Sequence, residues 1–218
     1  MLLLVALIIL LLSVLINLYL TKRTYIKTYL NYHKSLPDLF HQRLPYKNLE
    51  YITDKLPVMY TILLALLVFI NRKRLPIKYI LCIFIIQFSI ILLLRCISFT
   101  LTLIPPPNKD CILKKTYIKY RKIKMLMKDL ITGRFHGGCG DLLISGHMNI
   151  IILCTLYIIH YNLLSVIPKI IIWLITIVPA VMILISRCHY SIDIFYSYLI
   201  TIGVFYLTIE KFKNFINI

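Results

Sequence analysis

Residues 77–104 read IKYILCIFIIQFSIILLLRCISFTLTLI, and after Lys78 their one charge is Arg95. A run of this length crosses ~30 Å of hydrocarbon as a helix. Further apolar runs cover about 1–20, 57–70, 142–160, 164–186 and 190–209. In lipid, only a helix or a closed barrel satisfies every backbone N–H and C=O. The pattern therefore predicts an all-α membrane protein with six transmembrane helices. It predicts one domain over residues 1–218, with no internal repeat. Run 1–20 interrupts its aliphatic residues only with Ser13, Asn17 and Tyr19. It lacks the basic start and small-residue cleavage site of a signal peptide, so an uncleaved span is expected.

Composition points the same way. The chain is 60% hydrophobic, and its mean hydropathy is +0.86. Against 8 Asp+Glu stand 25 Lys+Arg, a net charge of +17. In a soluble protein that excess would suggest nucleic acid. Here the basic residues fall between apolar runs with no aromatic–basic reading face. Contact with anionic lipid head groups and control of topology account for them, and nucleic acid is not expected as a partner.

No pair of cysteines has metal-ligand spacing, no carboxylate cluster for magnesium is present, and no GxxxxGK[ST] loop occurs. Neither a metal nor a cofactor is expected. Cys82, Cys96 and Cys154 lie inside apolar runs, where a thiol packs as a small hydrophobe. Cys111 and Cys139 could bridge if their loop faces an oxidising compartment.

With six spans, loops one, three and five share one membrane face. Those loops hold LPD (36–38), CGD (139–141) and RCHY (187–190). Loop two, NRKRLPIK, is short and densely basic, which favours the cytosol. The total basic count in loops one and three points the other way, so charge alone leaves the orientation open.

The chemistry-bearing residues converge on that shared face. His189 and Asp193 are four apart, on one side of a helix. Asp193 can hold one ring nitrogen of His189 and leave the other as nucleophile or base. Ionisable residues at the mouth of an apolar span are costly and call for a reason. His147 opens the run at 142–160 from the same face, in CGDLLISGH (139–147). Two such spans packed together bring the two imidazoles to one small volume, one a nucleophile, the other an acid and base. Five of the six glycines (Gly133, Gly137, Gly138, Gly140, Gly146) lie just here. Ser145 and Gly146 precede a helix N-terminus, a natural phosphate seat. Arg95, within a span, offers a guanidinium fork to a phosphate, and Arg187 stands two residues before His189. Arg134 and His136 precede the glycines without a distinct role. The set fits metal-free phosphoryl-group chemistry through a phospho-histidine.

With these residues in hand, the chain resembles the sphingomyelin synthase family, a branch related to the type-2 phosphatidic acid phosphatases. LPD resembles its first motif and RCISFTLTLIPPPN (95–108) its second. CGDLLISGH resembles the third. HYSIDIFYSY (189–198), with Phe205 beyond, resembles the fourth. The sequence departs from the pattern at Met148, where Thr is usual, at Ser191 for Thr, and at Thr208-Ile209 for a closing Tyr-His. It starts on the first apolar run, so regulation through the cytosolic extension of some members is not expected.

The resemblance implies a phosphatidic acid phosphatase type 2-like helical core with the catalytic face toward the lumen or exterior of an endomembrane or the plasma membrane. It implies transfer of a phospho-head group, phosphocholine first among choline, ethanolamine and inositol, from a glycerophospholipid to ceramide with release of diacylglycerol. By resemblance, His189 attacks the phosphorus and His147 acts as acid and base. Arg95, Asp141, Ser145, Gly146, Arg187 and Tyr190 are expected to bind substrate or its phosphate. The exact task of Asp141 is open between His147, the loop backbone and substrate. The alternatives are a lipid phosphatase or phospholipase C-like hydrolase, and a non-catalytic lipid-binding or scrambling protein. A homodimer is left open.

Overall fold

A computed structural model describes residues 2–31, 34–108 and 141–216. Cys111, Cys139, Arg134, His136 and the glycines at 133–140 lie outside the described residues. The described residues contain helices and no strand. In chain order the helices are α1 (Leu2–Asn31), α2 (Leu39–Arg43), α3 (Glu50–Thr53), α4 (Leu56–Ile70) and α5 (Ile77–Leu101). There follow α6 (Gly146–His160), α7 (Lys169–Ile175), α8 (Ile177–Ile185) and α9 (Ser191–Ile216).

Four segments are long and apolar enough to cross a membrane: Leu2–Thr21, Glu50–Ile70, Ile77–Leu101 and Ser191–Phe212. The other two expected spans are shorter apolar helices, Gly146–His160 and Lys169–Ile185. The chain is an integral membrane protein with a helical core. A helix of 15 residues such as α6 reaches only ~22 Å.

Local chemistry explains the ends. Helix α4 stops where Asn71 folds its Nδ2 back onto the Leu67 carbonyl at 2.9 Å. Helix α5 stops at Leu101, short of the expected residue 104, and prolines 105–107 cannot continue it. Run 142–160 becomes helical only at Gly146, because Leu143 takes φ 92° and Ser145 caps the helix. Run 164–186 is two helices. Pro179 has no N–H to bond the Ile175 carbonyl, and the chain breaks at Thr176, whose hydroxyl meets the Tyr198 hydroxyl at 2.7 Å. Helices α1 and α9 run beyond the expected ends at residues 20 and 209.

Helix α6 is the centre of the bundle, packed by α4, α5 and α9, while α1 packs on α5. Met148, Ile151, Ile152, Leu153 and Tyr157 are wholly buried. Within lipid the drive to pack is close van der Waals fit and interhelical hydrogen bonding, not exclusion of water. Helix α9 presents a stripe of Asp193, Ser197 and Thr201 at fourfold spacing, each 0% exposed. The small members let it approach α6 closely. Ser197 Oγ accepts from Ser145 N at 2.8 Å, and Thr201 Oγ1 donates to Asn149 Oδ1 at 3.2 Å. Deeper in the bundle, Gln87 of α5 accepts from Tyr157 OH at 2.7 Å and donates to Thr208 Oγ1 at 2.6 Å. Thr208, where the resembled family has a Tyr, thus ties α9 to α5.

Candidate active site

The site is built at the mouth of α9. Asp193 is the third residue of that helix and its carboxylate turns back over the first turn. Oδ2 accepts from the Tyr190 N–H at 3.0 Å, as a capping acid does, and also meets His189 Nδ1 at 3.1 Å. Oδ1 accepts from Leu143 N at 3.0 Å. A carboxylate only accepts, so the proton of His189 sits on Nδ1 and Nε2 carries the free lone pair. His189 is 4% exposed.

The chain enters this turn from α8 through a Schellman closure, Cys188 N to Ile183 O at 3.3 Å and Arg187 N to Leu184 O at 3.0 Å. The left-handed position of that motif usually belongs to glycine. Here Arg187 occupies it at φ 53°. A side chain there costs about 1 kcal/mol against glycine. The strain aims the guanidinium across loop one: Nη2 donates to His41 O at 3.3 Å, and the group lies 5.6 Å from the Tyr46 ring centre. Its buried Nε meets no acceptor among the described residues.

His147, second residue of α6, faces His189 with ring centres 6.5 Å apart. Its Nε2 meets Asp54 Oδ1 at 3.0 Å, which leaves Nδ1 as the other nitrogen. Sequence reasoning missed Asp54. The signal was there: seven of the chain's eight acids, Asp54 among them, lie in or beside loops one, three and five, which span parity puts on one face. Ser145 Oγ caps Met148 N at 3.4 Å, and the N–H groups of Gly146 and His147, by helix geometry, have no intrahelical acceptor. Among the described residues no acceptor takes them, and this end of α6 is open there.

Arg95 lies under this turn, 7% exposed. Nε donates to Ile144 O at 2.9 Å, Nη1 to Asn17 Oδ1 at 3.3 Å, and Nη2 to Asp141 O at 3.2 Å, and Nη2 is also ion-paired with Asp141 Oδ2. The expectation for Arg95 was a phosphate fork. Its guanidinium is instead engaged by protein acceptors and clamps the loop 141–145. Gly146 permits the approach, since a Cβ there would lie 3.4 Å from Arg95 Cζ. Asp141 does not orient His147; it anchors the loop to Arg95.

Tyr190, expected to contact substrate, has protein partners on its hydroxyl. It is 2% exposed, its hydroxyl donates to Pro105 O at 2.8 Å, and Leu36 N donates to that hydroxyl at 2.9 Å. Ser145, 0% exposed, serves as a cap. The structure thus brings His147, His189 and Asp193 together with Arg187 beside them, while Arg95, Asp141, Ser145 and Tyr190 each hold protein partners and Asp141 Oδ1 is buried with no partner among the described residues.

Known proteins resemble part of this chain. The PAP2 superfamily C-terminal family matches residues 138–210, which contain His147, His189 and Asp193. Phosphatidylcholine:ceramide cholinephosphotransferase 2 of Rattus norvegicus is 31% identical over 123 residues, 50% of this chain and 32% of the relative. Phosphatidylcholine:ceramide cholinephosphotransferase 1 of Rattus norvegicus is 31% identical over 128 residues, 52% of this chain and 29% of the relative. The Mus musculus form of the first is 30% identical over 123 residues, 50% of this chain and 32% of the relative. The match spans about a third of these relatives' length. Residues 138–210 thus match the PAP2 superfamily C-terminal family, and the chain is, over half its length, similar to phosphatidylcholine:ceramide cholinephosphotransferases.

Proposed function

We propose that this protein is a membrane-embedded head-group transferase that moves a phospho-head group from a glycerophospholipid to ceramide. The observation that carries the reading is the His189–Asp193 pair, its Nε2 free, facing His147 at 6.5 Å. In the first step Nε2 of His189 attacks the donor phosphorus and the bond to the diacylglycerol oxygen breaks. His147 gives that oxygen its proton. The phosphorylated ring is cationic, and the Asp193 carboxylate on Nδ1–H stabilises it. In the second step the ceramide hydroxyl loses its proton to His147 and attacks phosphorus, and the N–P bond breaks. Asp54 orients His147, and the open α6 N-terminus with Arg187 receives the phosphate oxygens. Phosphocholine is the head group that the relatives' names suggest. All six apolar segments form one membrane domain, with the site toward the lumen or exterior.

The test is mass-spectrometric identification of the product lipid after expression in membranes free of sphingolipid synthases. His147→Ala, His189→Ala and Asp193→Ala each abolish head-group transfer. Transfer that survives in the latter two sinks the mechanism. The PAP2 match favours one second reading, a hydrolase in which water accepts the phosphoryl group. A water-soluble phospho-product formed equally with and without ceramide selects it.

A further inference from the structure

We infer that Asp38 is a positioning residue for His189, acting from loop one through Ser191. The inference rests on the transferase reading for its kinetic test, and its geometry stands apart from it. Asp38 is 8% exposed and its carboxylate spans two helix starts. Oδ1 caps α2, accepting from Phe40 N at 2.9 Å and His41 N at 3.1 Å. Oδ2 accepts from both Ser191 N at 2.8 Å and Ser191 Oγ at 2.7 Å. Ser191 is the first residue of α9, so Asp38 fills an unsatisfied N–H of that helix from another part of the chain. The two helix N-termini at the site therefore differ. That of α9 is closed by Asp38 and Asp193, while that of α6 beside His147 meets no acceptor among the described residues. A phosphate is directed to the open one, and His189 is left as a fixed nucleophile.

The same stretch of loop one grips the residues on both sides of His189. His41 Nε2 donates to the His189 carbonyl at 3.1 Å, since a carbonyl only accepts. Lys47 N donates to Ile185 O at 3.2 Å, and Leu36 N to Tyr190 OH. Among the described residues the His189 side chain has one hydrogen bond, to Asp193. Its backbone is held by this strap, and Asp38 sets the strap's register against α9. The contact also accounts for Ser191: the position needs a hydroxyl, which Ser and Thr both supply.

The test compares Asp38→Asn, Ser191→Ala and Ser191→Thr in the full chain in mixed micelles. Asp38→Asn places an amide donor against the Ser191 donors and lowers kcat about tenfold or more, with KM within about twofold, because a misplaced nucleophile costs rate rather than binding. Ser191→Ala lowers kcat several-fold and Ser191→Thr restores it. The Asp38→Asn/Ser191→Ala double variant is no worse than Asp38→Asn alone. A second readout needs no substrate: diethyl pyrocarbonate labels His189 about fivefold faster in Asp38→Asn and Ser191→Ala than in the parent. A parent with no ceramide-dependent product refutes the transferase reading and leaves the labelling to decide the positioning. An active parent whose Ser191→Ala matches it in both kcat and labelling overturns the inference, even if Asp38→Asn fails to fold. Additive losses in the double variant overturn it as well.

Discussion

Replacing Arg95 and Asp141 one at a time and then together separates stability from catalysis at the clamp under the His147 turn. Their side chains are 9% and 10% exposed. Arg95→Met leaves the Asp141 carboxylate buried without its cation, and Asp141→Leu leaves the guanidinium without its anion. Breaking a buried pair in this way costs about 3–5 kcal/mol. Arg95→Met/Asp141→Leu removes both charges, and such apolar replacement is often nearly neutral. What remains is the loss of donors to Ile144 O, Asp141 O and Asn17 Oδ1, about 1 kcal/mol each. The double variant should therefore be destabilised by about 3 kcal/mol, well below the sum of the two single variants. Unfolding of the purified protein in mixed micelles measures all three. Activity should not recover with stability, because Arg95 also holds Ile144 O beside Leu143, whose N–H orients Asp193. A double variant whose destabilisation equals the sum of the singles refutes the clamp. A stable double variant with parental turnover refutes its link to Asp193.

Three further outcomes follow from the geometry. Asp54→Asn should lower kcat about tenfold, less than loss of His147 itself, in the head-group transfer assay. Burial holds the His41 imidazole below its ordinary pKa, against the pull of Asp38. The unfolded chain then binds a proton that the folded chain refuses, so stability is full above about pH 6.5 and falls as pH drops below it. Unfolding measured across that range should show a shallower fall in His41→Asn. At position 187, Gly should be about 1 kcal/mol more stable than Ala, since both lose the guanidinium and only Ala keeps the left-handed strain. Both should raise KM for the donor phospholipid, and equal stability of the two would remove the strain argument.

Much of the fold was legible because lipid imposes a simple rule. A backbone without water must pair with itself, so apolar runs become helices, and their order sets which loops share a face. Helix ends were less legible. The break at Thr176 depends on one missing N–H at Pro179, and the late start of α6 depends on Leu143 turning to φ 92° to reach Asp193. Hydropathy sees neither. Arg95 shows the limit of reading one residue at a time. A buried guanidinium suits a phosphate and a carboxylate equally, and only packing decided that Asp141 reaches it first.

The sequence by itself determined the helical membrane class, the face on which the chemistry gathers, and the His189–Asp193 pair. That pair is four residues apart, and the period of one helix brings it together whatever the rest of the chain does. The tertiary structure alone decided the partners of everything else. Asp141 lies 46 residues from Arg95, Asp54 lies 93 from His147, and Asp38 lies 153 from Ser191. No local periodicity relates residues so far apart. Their contacts exist because α6 is enclosed by α4, α5 and α9, which draws loop one over the mouths of α6 and α9 and closes the site.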